Sequence, residues 1–127
     1  MFYKSIKSID HNKNLLIKGN GKFFSSGLDL FYANKLKYND LVNLIEYFEL
    51  ILLFILNRKG KTVAYINGHT IAGGFILASS CDLAYCEAGN YKLGMNHNSL
   101  KISLPPIAKA IIKYTFNEDE HKILSKN

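Results

Sequence analysis

The chain has 127 residues, 48% of them hydrophobic and 20% charged, which describes one domain able to bury a core and excludes a disordered segment. The formal net charge is +6, but the lysines are scattered and Arg58 is the sole arginine. That pattern describes a solvated surface rather than a nucleic-acid interface, which clusters its charge and favours arginine, while single lysines remain able to meet the phosphates of a small ligand.

No secretory signal is visible. The stretch "MFYKSIKSIDHNKN" is rich in Lys and Ser and poor in acid, a faint presequence-like composition that lacks arginine. "NLLIKG", residues 14–19, predicts a strand, and the segment after it a glycine-containing loop. "SSGLDL" bends at Gly27, and Asp29 is able to cap the next element. From Asn39 or Asp40 a helix is expected, because Leu41, Leu44, Ile45, Phe48, Ile51, Leu52, Ile55 and Leu56 recur at helical spacing. Leu53 and Phe54 make its second half apolar nearly all round, which predicts burial or a covering partner chain. "LILLFIL" is too short to span a bilayer, which takes roughly 20 apolar residues.

"TVAYIN", residues 62–67, predicts a strand, "GHTIAGG" a turn, and "GFILASS" a short buried helix. "CDLAYCE", residues 81–87, and "NYKLGM" predict further strands. Pro106 suits the first turn of a helix over "IAKAIIKYTF", and "NEDEHKIL" begins another. Strands alternating with helices define an α/β layout, with strands 62–67 and 81–87 parallel in one sheet and the helix between them. Cys81 and Cys86 are an odd number apart, so on a strand they face opposite ways and cannot pair with each other. No second pair exists for a zinc site, and buried free thiols in a reducing compartment are expected. The last residues, "LSKN", are not a peroxisomal Ser-Lys-Leu address.

Gly73 and Gly74 open an apolar helix where glycine costs about 0.5–1 kcal/mol against alanine. A helix start points unpaired N–H groups outward, and bare glycine lets a ligand atom approach them. A second N–H from the "SSGLD" bend would complete an oxyanion hole suited to the enolate oxygen of a thioester. Each glycine motif alone also fits close helix–strand packing.

Together, "GKFFSSGLDL" and "VAYINGHTIAGGFILASSCDLAYC" resemble the crotonase, or enoyl-CoA hydratase/isomerase, superfamily. "YKLGMNHNSLKISLPP" is similar to the mitochondrial enoyl-CoA isomerase branch. The resemblance covers residues 14–116 and implies a truncated crotonase-like (ClpP/crotonase) ββα spiral core, a single partial domain over residues 1–127. It implies oxyanion N–H groups at Leu28 and Gly73, and contacts to coenzyme A from Lys22 and Ser26. It implies a CoA thioester as substrate or ligand, with no other cofactor and no metal. His69 falls where the family often carries histidine, and is read as turn structure.

Two positions depart from the family. Where hydratases carry a catalytic glutamate this chain has Ile76, so hydration is not expected. Where the isomerase branch carries its basic glutamate in "GLNE", this chain reads "GMNH", which places His97 there. A histidine can shuttle a proton near neutral pH, or can be a drifted residue in a dead site. The resemblance also implies a chain truncated at both ends, with the family's usual leading hairpin and trailing helices expected to be missing.

The resemblance implies two alternative functions. One is a minimal enoyl-CoA isomerase of fatty-acid β-oxidation. The other is a catalytically inactive structural subunit of a larger mitochondrial complex. Acyl-CoA, a homo-oligomer or a larger complex are the expected partners, with no nucleic acid and no membrane span. The expected compartment is mitochondrial, or alternatively peroxisomal.

Overall fold

The computed structural model describes residues 2–27, 35–95 and 105–116. The chain opens with a short helix, α1 (Phe2–Lys7), then passes through β1 (Leu15–Lys18) and β2 (Phe23–Ser25). A long helix, α2 (Tyr38–Leu56), leads to β3 (Thr62–Ile66), β4 (His69–Ile71) and the helix α3 (Gly73–Ser80). β5 (Leu83–Cys86), β6 (Leu93–Gly94) and α4 (Pro106–Phe116) complete the described elements.

Among the described residues, the strands form two three-stranded sheets, β1–β3–β5 (sheet A) and β2–β4–β6 (sheet B). Every pairing in both is parallel. The chain therefore goes from sheet A to sheet B and then to a helix, and repeats the cycle. Each cycle adds one strand to each sheet, which is the ββα spiral that the family resemblance implies. β3 and β5 are parallel neighbours with α3 between them in the chain, as expected.

Alternation fixes which face of sheet A is inward. Leu15 and Ile17 on β1 and Thr62, Ala64 and Ile66 on β3 are buried, while Leu16 and Lys18 are exposed. The inward residues meet Leu52 and Ile55 of α2, Ile76 and Ala78 of α3, and Ala108 and Ile112 of α4 in one core. Among the described residues, no helix is long and apolar enough to cross a membrane.

Side chains tie segments that are distant in the chain. The Asn67 carboxamide accepts the Gly19 N–H at 3.1 Å and donates to the Gly19 carbonyl at 3.0 Å, joining the bend before β2 to the bend before β4. The Asp82 carboxylate accepts the Thr62 N–H at 2.8 Å and the Thr62 hydroxyl at 3.2 Å, tying the start of β3 to the start of β5. Arg58, buried after α2, donates through Nη2 to the carbonyls of Asp10 (2.8 Å) and Lys13 (2.7 Å).

Several expectations need correction. β2 lies where the sequence predicts a loop and β4 inside the predicted turn; α1 has no counterpart among the predicted elements. Each of the two strands is only three residues long and exists through its neighbours in sheet B, so period-2 alternation has nothing to work on. The second half of α2 is not buried all round: Leu52 and Ile55 are, but Leu50, Leu53 and Leu56 are exposed, because α3 and α4 cover one side only. Both cysteines are free, but only Cys81 is half-buried; Cys86 is exposed because β5 is the edge of sheet A. The N-cap of α2 is Lys37, without a side-chain cap bond. Asp29, the helix expected from "NEDEHKIL", Leu28 and His97 lie outside the described residues.

Candidate active site

The C-terminal ends of β2 and β4 bring Gly27 and Gly73 together. Gly27 has φ +83°, a left-handed conformation, and its N–H is turned back to Ser25 Oγ at 3.1 Å. A methyl group placed on Gly27 would lie 2.6 Å from the Gly73 nitrogen, and one on Gly74 would overlap the Ser25 carbonyl oxygen. Backbone meets backbone here with no side chain between, which answers why a buried helix opens on two glycines.

The turn into α3 is strained as well as tight. Ala72 has φ 54° and ψ −118°, a region that a residue with a Cβ rarely adopts and that costs about 1–3 kcal/mol. It is held from both sides. Its N–H donates to the Gly94 carbonyl of β6 at 2.8 Å, and its carbonyl accepts the Ile76 N–H at 3.1 Å. Ile76 makes the first bond inside the helix, so the N–H groups of Gly73 and Gly74 precede the intrahelical ladder. The positive end of the helix dipole lies at the same place. The Phe48 ring of α2 comes within 3.4 Å of where a Gly73 methyl would sit and forms an apolar wall. Backbone donors at a helix start beside a ring are the kind of group that suits an oxygen gaining negative charge.

The other expected site residues divide. Ser26 is exposed beside Gly27, and Lys22 is exposed before the opposite end of β2. Ile76 is 2% exposed and belongs to the core. His69 is a structural residue of β4. Its Nδ1 accepts the Lys92 N–H at 2.9 Å, and its ring sits 5.1 Å from Phe23 and 6.3 Å from Tyr91. Among the described residues no group of histidine, cysteine or carboxylate side chains is placed to hold a metal.

Sequence reasoning passes over Asn67, Asp82 and Arg58. Asn67 stands in an Asn-Gly turn signal, and Arg58 is the lone arginine behind an apolar helix; either could have been singled out. Asp82 carries no sequence signal, since its partner Thr62 is brought to it only by sheet A. A groove of about 960 Å³ between α2, α4 and the C-terminal end of α3 is lined by Leu53, Leu56, Ile107 and Tyr114 among others, and does not include Gly73.

This is a ββα spiral in which two glycine turns close on each other where a strand feeds a helix. Residues 2–111 match the family model described as enoyl-CoA hydratase/isomerase, and the chain belongs to that family. It is 32% identical over 104 residues to the peroxisomal enoyl-CoA delta isomerase 2 of Arabidopsis thaliana, covering 78% of this chain and 43% of that protein. It is 28% identical over 101 residues to enoyl-CoA delta isomerase 3 of the same plant, covering 77% and 42%. The fold superposes on the enoyl-CoA hydratase of Thermoplasma volcanium with a TM-score of 0.72 at 22% identity, covering 89% of this chain and 44% of that one. The chain thus spans less than half the length of these relatives.

Proposed function

We propose that the chain binds an acyl-CoA thioester and shifts a double bond next to it. The observation that carries this reading is the contact of Gly27 with Gly73, where two backbone turns close to within a methyl group's width. The Gly73 N–H and the N–H of Leu28 hold the thioester oxygen. Negative charge grows on that oxygen when the α-proton leaves, and each such donor is typically worth about 3–4 kcal/mol. His97 takes the α-proton and returns it at the γ-carbon, so no net proton is consumed and the double bond moves by one position. Water is not added, because Ile76 has no proton to give. The isomerase names of the two plant relatives support the same direction. The peroxisomal name of one of them favours that compartment over the mitochondrial one.

The test is isomerisation of 3-hexenoyl-CoA by the purified chain, followed by the absorbance of the conjugated thioester. His97→Ala should lower the rate by about 10²-fold or more, and His97→Glu should restore it. Crotonoyl-CoA should gain no water. An unchanged rate in His97→Ala would remove histidine from the mechanism, and no isomerisation by the parent chain would remove the catalytic reading.

A further inference from the structure

The outward face of sheet A carries its side chains in two rows. The register pairs Leu16 with Val63 and Val63 with Leu83, so these three stand side by side across β1, β3 and β5. Two residues further along, Lys18, Tyr65 and Tyr85 form the second row. Leu16 is 61% exposed, Leu83 64% and Tyr85 63%, while Val63 and Tyr65 between them are half-buried. Apolar side chains on three adjacent strands make a contiguous patch rather than scattered single residues, and such patches mark contact surfaces.

The second row is already ordered. Lys18 Nζ lies 5.6 Å from the centre of the Tyr65 ring, and the Tyr65 and Tyr85 rings stack at 5.5 Å with their planes 13° apart. Glu87 follows on the same face. Its N–H donates to the Ile66 carbonyl at 2.9 Å, which continues the pairing of β5 with β3, and alternation sets residue 87 on the side of 83 and 85. The Tyr65 hydroxyl feels that carboxylate: desolvation first, and the negative charge of Glu87 second, hold its pKa above the ordinary 10.0. Charge on this face is thus divided, with a cation on β1 at one edge of the sheet and an anion after β5 at the other.

A twofold axis parallel to the strands and passing over β3 makes the face complementary to itself. It lays β1 of one copy over β5 of its partner and keeps the level along the strands. Leu16 then meets the partner's Leu83, Val63 the partner's Val63, and Tyr65 the partner's Tyr65. Lys18 meets the partner's Tyr85, with the partner's Glu87 two residues along the same strand and within reach of a lysine side chain. An axis across the strands would set the leucine row against the lysine and tyrosine row instead. Sheets packed face to face lie about 10 Å apart, which these side chains span from both sides.

We infer that the outward face of sheet A binds a second copy of this chain, sheet against sheet, with Lys18 of each copy paired to Glu87 of the other. The patch is smaller than the roughly 20–30 residues a side of a standard interface, so the dimer is weak and reversible. The inference stands apart from the acyl-CoA reading and does not need it.

The test is sedimentation equilibrium of the full chain from low to high micromolar concentration, in about 0.15 M salt to screen the +6 net charge of each copy. The mass should rise toward twice that of the chain. Leu83→Lys, at a position exposed enough to leave the fold intact by circular dichroism, should weaken association about tenfold or more. Lys18→Glu and Glu87→Lys should each weaken it about fivefold, since each sets like charges together twice per dimer. The double variant should recover most of that loss, which a merely local effect of either residue would not do. Tyr114, 92% exposed on α4, lines the groove instead, so Tyr114→Ser should leave the affinity unchanged. A monomer at every concentration, or a limiting mass other than twice the chain, would overturn the inference. So would full association in Leu83→Lys, a double variant no better than the single ones, or a loss in Tyr114→Ser equal to that in Leu83→Lys.

Discussion

The two ends of α3 are built on opposite plans. At its N-terminal end, Gly27, Gly73 and Gly74 let backbones touch, and a methyl group has no room. At its C-terminal end, Ser80 and Cys81 open on the groove of about 960 Å³, with Leu53 and Leu56 exposed on its wall. One eight-residue helix therefore joins a tightly closed turn to an open groove. The difference is one of what fills space. Backbone against backbone leaves no room for a side chain, whereas side chains that reach no partner leave an open apolar wall.

The sharpest way to break this comparison is at Gly27. Gly27→Ala forces a Cβ both into the left-handed region and against the Gly73 nitrogen, and should cost about 3 kcal/mol or more. Gly21 has the same φ of +83° but nothing within 4 Å of a built methyl group, so Gly21→Ala should cost only about 1–2 kcal/mol. Urea denaturation of the pair separates the steric part from the conformational part. Equal costs would mean that the close approach of Gly27 to Gly73 is not there.

The C-terminal end is tested next through Cys81. Burial, ahead of the repulsion from Asp82, pushes its thiol from an ordinary 9.0 up to about 11, against hydrogen bonds from Thr62 and Ser80 that lower it. Two units mean that its thiolate is about a hundredfold scarcer than an ordinary thiol's at pH 8. Iodoacetamide should therefore modify the exposed Cys86 in the native chain and reach Cys81 only in denaturant. The raised value also sets a pH window. Below 9.0 the thiol is protonated folded or unfolded; between 9.0 and about 11 the unfolded chain ionises first, so stability falls as pH rises through that range. Cys81→Ala should lose that part of the decline. The smallest effect belongs to the open wall. Leu53, which is 39% exposed, should tolerate Leu53→Lys within about 0.5 kcal/mol, read from the same denaturation curves. A large loss there would show that the wall is covered.

Much of the frame is legible in the sequence. β1, β3, β5, α2, α3 and α4 all follow from apolar periodicity and punctuation, because each is long enough for its own pattern to show. β2 and β4 are not, since three residues beside glycine carry no period and become strands only by pairing. The two glycine turns can be singled out from the sequence. Their convergence cannot, because Gly27 and Gly73 are 46 residues apart in the chain and only the parallel pairing of β2 with β4 joins them.

The sequence by itself therefore determined the types and order of the longer elements and the residue kinds available at each turn, since these depend on neighbours within one or two turns of chain. The tertiary structure alone decided which turns meet, which apolar faces stay open and which polar atoms are already taken. Asp82 is committed to Thr62, and His69 Nδ1 to Lys92, by contacts 20 and 23 residues apart that no local pattern encodes. The physical reason is range. Backbone preference acts over a few residues, but burial and hydrogen bonding are settled by whatever the folded chain brings alongside.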